Sequence, residues 1–216
     1  MEMCKKILKM LGPALIVTLT LMVICGLGYP LLMNGLAGTL FPRQASGNLV
    51  LVDGKPIGSE FVGQEFTQDY FMKGRPSAVH YNTYSVVDGA QKYSDGTAFT
   101  GVASGSSNYG PSDPVLVQRV QADMDRFLAD NPDVAREDIP TDLMTASGSG
   151  LDPHISPRSA AIQIPAISAA SGLSTQMLEQ IVENNTTGKL FGVFGEETVN
   201  VLGVNVDIAK AMGLIS

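Results

Sequence analysis

The chain has no tryptophan, two histidines and two cysteines, and it carries no charge at all from Met10 to Pro42. Each shortage excludes something. Both cysteines, Cys4 and Cys25, precede residue 43, so residues 43–216 have neither a disulfide nor thiol chemistry and must fold by apolar packing. His80 and His154 are the only imidazoles. Asp152, His154 and His80 could form a metal set, but that spacing is a poor signature, and no metal site is assigned. Positive charge is scarce too. Residues 43–216 hold 11 Lys and Arg against 20 Asp and Glu, a balance of −9. A phosphate-binding face needs the opposite sign, so nucleic acid is not expected as a partner.

The uncharged stretch is 33 residues long and follows a leader, residues 1–10, holding Lys5, Lys6 and Lys9. Its window from Leu11 to Leu32 contains 11 Leu, Ile or Val residues. As a helix this window would rise about 33 Å, enough for a hydrocarbon core of about 30 Å. Its aliphatic side chains favour insertion by roughly 3 to 7 kcal/mol before polar and helix-breaking residues are counted. We therefore expect a transmembrane helix over residues 11–33. A secretory signal has a shorter apolar region and a small-x-small cleavage site, which the segment after Tyr29 lacks. A lipoprotein signal needs a small residue before Cys25, where Ile24 stands. Pro13 falls in the first turn, and Pro30 is placed to end or bend the helix at its exit. Gly26 and Gly28 would let another helix approach closely. Three lysines in the leader outweigh Arg43 and Lys55 beyond it. The N-terminus is thus expected in the cytoplasm, and residues 34–216 outside, periplasmic or extracellular, as one cysteine-free domain.

Within that domain Gly47 to Gly58 reads as a strand, an Asp53-Gly54 turn and a short return strand, which Glu60 to Gln68 would continue. Tyr70 to Gly110 reads as long ordered loops, since it keeps Phe71, Tyr81, Tyr84, Tyr93 and Phe99. Asp113-Pro114 starts a helix that carries Leu116, Val120, Met124, Phe127 and Leu128 at helical spacing and ends near residue 130. Ser156-Pro157 starts a second, interrupted at Pro165. Ser174 caps a third, with Met177, Leu178 and Ile181 inside. Val199 to Val204 reads as a strand, with a short helix near Asp207 to Met212. The class is α+β behind one membrane helix.

Two Ser/Gly loops feed proline-started helices. One holds Ser104, Asn108, Gly110 and Asp113; the other holds Ser147, Gly148, Gly150, Asp152 and His154. Such loops can cradle an anion at a helix N-terminus, but turns and caps need the same residues, and we favour that reading. No lysine follows the glycines as in a Walker A loop. Ser149, Asp152 and His154 would make a hydrolase triad, yet they are crowded into one segment, and Ser147-Gly-Ser-Gly lacks the leading glycine of a nucleophile elbow. No catalytic residue is assigned.

Several stretches together resemble the C subunit of the Kdp-type potassium-transporting ATPase (KdpC). They are Gly28-Tyr-Pro, Phe41-Pro-x-Gln-Ala-x-Gly, Gly58-Ser, Gly63-Gln-x-Phe, Tyr70-Phe with Arg75-Pro-Ser-Ala, Ser104-Gly-x-Ser-Asn-x-Gly-Pro-Ser-x-Pro, the run from Asp142 to Pro157, and Val199-Asn-Val-Leu. The chain departs from the family pattern at Ser106, Tyr109 and Asp113, where Gly, Leu and Asn are usual. The resemblance implies a non-catalytic accessory subunit of a high-affinity, ATP-driven potassium uptake complex in the cell membrane. Its implied partners are a channel-like potassium-translocating subunit, a P-type ATPase subunit and a small one-helix subunit. Its implied role is that of a catalytic chaperone raising the ATP affinity of the ATPase subunit. ATP binding thus enters through the partner, and no residue of this chain is assigned to ATP; no Asp-Lys-Thr-Gly-like phosphorylation segment occurs here. Two other readings compete with this one: an independent membrane-anchored binding protein outside the cell, and an anchored serine hydrolase.

The charge bias makes a direct prediction. Protease added to intact spheroplasts should degrade the chain beyond about residue 43, detected with an antibody to the C-terminal part. Full protection of that part would contradict the orientation.

Overall fold

The computed structural model describes residues 2–215, and the chain divides into two compact units, one ending at Asn48 and the other beginning at Leu49. The first unit is helical almost throughout. Helix α1 (Glu2–Val23) runs into a π-turn (Ile24–Gly28), α2 (Tyr29–Leu40) and a short α3 (Pro42–Ala45). The apolar span Lys9–Leu40, 32 residues, is long and apolar enough to cross a membrane. It would rise about 48 Å, more than the roughly 30 Å of hydrocarbon, so helix extends beyond the window of residues 11–33. Pro30 does not end it. A proline inside an α-helix collides with the carbonyl four residues earlier, here that of Gly26. The π-turn relieves this: Tyr29 N–H bonds to Ile24 O, five residues back, and the helix continues. Gly26 and Gly28 both lie in that turn. A Cβ on Gly26 would meet nothing within 4 Å, and one on Gly28 only Val23 O at 3.7 Å.

The second unit is α+β. Strands β1 (Leu49–Val52) and β2 (Lys55–Ser59) form the expected hairpin, turned by Asp53 (φ 50°) and Gly54 (φ 72°). A second Asp-Gly turn, Asp88 (φ 53°) and Gly89 (φ 77°), joins β3 (Ser85–Val87) to β4 (Ala90–Lys92) inside the segment read as loops. The aromatics of that segment do order it: Tyr84 and Tyr93 both pack on Phe99, with ring centroids 4.5 and 5.3 Å apart. Glu60 to Gln68 forms no strand; only the isolated pairing of Ser59 with Val62 follows β2.

Helix α4 (Pro114–Asp130) starts as expected, with Asp113 Oδ1 accepting Val115 N–H at 2.8 Å. Ser156 caps α5 (Pro157–Ala161), and Pro165 sits in the first turn of a separate α6 (Ile164–Ser171). Ser174 caps α7 (Thr175–Asn184) by accepting Met177 N–H at 3.2 Å. Leu178 and Ile181 of α7 are buried, but Met177, about 100° round the helix from Leu178, is exposed. Strand β5 (His154–Ile155), β6 (Thr186–Thr187) and β7 (Thr198–Asn200) make an antiparallel sheet in the order β5–β7–β6. The strand expected from Val199 onward stops at Asn200. There Asn200 Oδ1 accepts Gly203 N–H at 2.9 Å and caps α8 (Val201–Ala211). The β-branched residues of this run suit a strand locally. The cap and burial on all sides override that preference, as they do for a central core helix.

Helix α8 is that core helix. One side, Val201, Val204 and Ile208, packs with Ile155, Val199, Leu178 and Ile181. The other, Leu202 and Val206, packs with Val52 of the first hairpin. The same helix buries Asn205, whose amide accepts Met72 N–H at 2.7 Å and donates to Met72 O at 2.9 Å. Buried Gln163 treats Lys73 likewise, accepting its N–H at 2.9 Å and donating to its O at 3.2 Å. Two side-chain amides thus stand in for a neighbouring strand and fix an irregular segment across the core. Asn205→Leu keeps the branched shape of the side chain but orphans two buried backbone groups, at about 1 to 3 kcal/mol each. Urea unfolding of the full chain should show a loss of that order, with no effect of added thiol reductant on either protein.

Candidate functional site

The run from Ser147 to Pro157 is hydrogen-bonded to several other segments of the second unit. Its backbone explains why. Ser149 O accepts Gly105 N–H at 2.8 Å and Ser104 Oγ at 3.1 Å. Gly150 O accepts Ser77 Oγ at 2.6 Å, and Leu151 O accepts Gly63 N–H at 2.8 Å. Asp152 O accepts Tyr81 OH at 3.3 Å, and Pro153 O accepts Val201 N–H at 3.0 Å. Five consecutive carbonyls therefore hold four separate parts of the chain, around residues 63, 77–81, 104–105 and 201. The two Ser/Gly loops singled out in the sequence are joined to each other by the first of these contacts.

Glycine is required at two of the meeting points. Gly150 has φ +67°, and a Cβ there would stand 2.7 Å from Gly105 O. A Cβ on Gly63 would stand 2.9 Å from Asp152 O and run into the Tyr81 ring. Gly148, by contrast, has nothing within 4 Å and is exposed. Asn108 and Gly110 are also exposed and serve a local turn: Asn108 N–H reaches Ser106 Oγ at 3.4 Å, and Gly110 O accepts Asp113 N–H at 3.0 Å. Ser147 is buried, with its hydroxyl 3.5 Å from that of Ser149.

Asp152 is the charged centre of this region. Oδ2 pairs with Arg75 Nη1 at 2.9 Å, while Oδ1 accepts His154 N–H at 3.0 Å and lies 3.5 Å from His154 Nδ1. The His154 side-chain contact, helped by its backbone N–H and by Arg75 against a desolvation penalty, holds the Asp152 carboxyl below the usual carboxylate range. Tyr81 sits beside it with its hydroxyl on Arg75 O at 2.8 Å. Burial, reinforced by the Asp152 charge, pushes its phenol up to about 12. Arg75 and Tyr81 were not singled out as site residues; the signals were the Arg75-Pro-Ser-Ala stretch for the first and a place among the aromatics of the Tyr70–Gly110 segment for the second. Tyr81 also belongs to a left-handed turn, His80, Tyr81 and Asn82 having φ of 48°, 52° and 55°. Left-handed turns of L-residues cost roughly 1 to 2 kcal/mol per residue. Ser77 Oγ accepts Tyr81 N–H at 3.0 Å, and the Asn82 amide exchanges two 2.9 Å bonds with Ala103, so the turn is held from both sides.

This geometry offers little for chemistry. Ser149 Oγ accepts Leu151 N–H at 3.1 Å, and among the described residues no bond joins it to His154. His80 faces Asp95 at 3.7 Å and stacks on Tyr93, away from the Asp152–His154 pair. Among the described residues no three His, Cys, Asp or Glu side chains are grouped to hold a metal ion. Two cavities of about 800 and 700 Å³ open nearby, and Lys73 lines both. Burial lowers the Lys73 ammonium below its ordinary value against the pull of Asp130, Asp69 and Glu65. The second cavity brings together the Arg119–Asp123 pair, at 2.6 Å, and Glu65, whose buried Oε2 has no hydrogen-bond partner among the described residues.

Comparison with known proteins gives a single answer. A family model described as "KdpC: K+-transporting ATPase, c chain" matches residues 11–210. The chain is 60% identical over 201 residues to the potassium-transporting ATPase KdpC subunit of Clostridium kluyveri, covering 93% of each chain. It is 55% identical over 208 residues to that of Clostridioides difficile, covering 96% of this chain and 100% of the relative. To that of Rhodopseudomonas palustris it is 46% identical over 200 residues, covering 92% and 96%.

Because folding lowers the pKa of Asp152, its contribution to stability is present above the ordinary value of 3.8 and is lost as pH falls through the lower folded value. Melting of the full chain between about pH 5 and 2 should therefore show an acid-side loss that is smaller in Asp152→Asn. At pH 7 that variant should be less stable by about 1 to 3 kcal/mol, since Arg75 loses its ionic partner.

Proposed function

The chain belongs to the KdpC family, and from that premise we propose that it is a non-catalytic accessory subunit of an ATP-driven potassium uptake complex. The observation that carries this reading is the use made of the Ser147–Pro157 run. Its carbonyls from Ser149 to Pro153 and the Asp152 carboxylate are engaged in holding other segments of the same domain, while the Ser149 hydroxyl is taken up inside the run by Leu151 N–H. Such a segment shapes a surface, and a shaped surface serves assembly.

The apolar helix anchors the chain in the cell membrane with its N-terminus in the cytoplasm, and the second unit works outside. The family resemblance supplies the partners: a channel-like potassium-translocating subunit, a P-type ATPase subunit and a small one-helix subunit. Gly26 and Gly28, open on their outer sides, give a neighbouring membrane helix room to approach. Raising the ATP affinity of the ATPase subunit then works indirectly. The accessory domain favours one conformation of its partners, and the nucleotide favours the same one, so each strengthens the other. This chain supplies no cofactor chemistry, and ATP belongs to the ATPase subunit.

The test is purification of the complex in mild detergent, with mass spectrometry of the chains recovered. Asp152→Ala and His154→Ala should lower the yield of complex or raise the KM for ATP, while turnover at saturating ATP stays near normal. A variant that folds and assembles fully yet abolishes turnover would show direct chemistry and overturn the proposal. Recovery of the chain without other transport chains would favour an independent anchored binding protein.

A further inference from the structure

Between β6 and β7 the chain makes a projecting hairpin end whose side chains contribute to neither core cluster. Leu190, Phe191, Val193 and Phe194 are all exposed, Phe191 by 86% and Val193 by 73%. The end is nevertheless well built. Leu190 N–H bonds to Phe194 O at 2.8 Å and Phe194 N–H to Leu190 O at 3.0 Å. Phe191 and Gly192 turn the chain with φ of 54° and 74°. Glycine or asparagine suits such a turn, whereas a large aromatic at positive φ is uncommon and strained. A strained position filled by an exposed ring does nothing for the domain's own stability, and strain of this kind collects where a surface engages something else.

From this geometry we infer that the Leu190–Phe194 end is a docking plug that seats in an apolar cleft, rimmed by basic side chains, on another chain of the transport complex. The inference rests on the accessory-subunit reading and gives it a contact. Four large apolar side chains, two of them aromatic, ringed by polar residues, have the make-up of an interface centre. The charge around them selects the kind of partner. Lys189 is paired with Glu196 at 3.5 Å, and Glu197 adds a second acid. The base of the plug is therefore net negative and matches a basic rim. A lipid surface is disfavoured, because loops that settle on anionic headgroups carry an excess of Lys and Arg, and this one does not.

The test uses the full chain expressed with the other chains of its transporter. Phe191 is replaced by the photoreactive residue p-benzoylphenylalanine, with the same replacement at exposed Val102 as a control. Illumination should cross-link position 191, and not position 102, to another chain of the transporter, identified by mass spectrometry. In parallel, the double variant Phe191→Ser, Phe194→Ser should recover at least tenfold less of that chain. An adduct with lipid alone, or with a second copy of this chain, would overturn the inference. So would full recovery by the double variant, or no adduct at position 191 while the unaltered chain brings its partners down. Should the double variant misfold, the cross-link decides. An unaltered chain that recovers no partner at all would defeat the accessory-subunit reading itself, and this inference with it.

Discussion

Five successive carbonyls, from Ser149 to Pro153, hold the second unit together. They take hydrogen bonds from residues 104–105, 77, 63, 81 and 201 in turn. An extended segment that leaves its carbonyls free of local secondary structure must find partners for them once it is covered. Here the partners are the loops at residues 63, 77–81 and 104–105 and the first turn of α8. A single such bond contributes about 1 kcal/mol net, but leaving a buried partner unmade costs about 1 to 3 kcal/mol. The loops are therefore ordered jointly. Gly150 and Gly63 are needed because the backbones approach too closely for a Cβ. The Asp152 carboxylate fastens the end of the run to Arg75 and to the start of β5.

The same economy appears in the core and at one exposed turn. Asn205, Gln163 and Asn82 each present both faces of an amide to one residue's backbone, at Met72, Lys73 and Ala103. The domain thereby orders long irregular segments with short strands and without a disulfide. Its largest sheet has three strands of two or three residues. A surface made of loops held in this way can be specific in shape.

Local chemistry was legible in the sequence. Asp113, Ser156 and Ser174 announced their helices because an N-cap acts within three residues of itself, and Asp53-Gly54 announced its hairpin for the same reason. Asp88-Gly89 carried an equal signal between Val87 and Ala90 but was hidden in a stretch otherwise rich in Gly and Ser. The π-turn before Pro30 and the helix beginning at Val201 were not legible. The first depends on how a carbonyl clash is relieved, and the second on burial from all sides. Among the expected site residues, Ser104, Ser147, Gly150, Asp152 and His154 lie in one hydrogen-bonded region. Their meeting was not foreseen, because the contacts span sequence separations of 45 to 77 residues for Ser104, Ser77 and Arg75, and the first two end on backbone carbonyls. Backbone acceptors leave no mark on residue type. Gly148, Asn108 and Gly110 share the same composition yet serve exposed turns.

The central claim is that one short segment latches the others as a unit, and native-state hydrogen exchange of the full chain tests it most directly. The amides of Gly63, Gly105 and Val201, which bond to Leu151, Ser149 and Pro153, should open with one common free energy. That free energy should fall equally at all three in Asp152→Ala. Gly63 and Gly105 exchanging quickly and independently, while Val201 stays protected and unaffected by the substitution, would contradict the account.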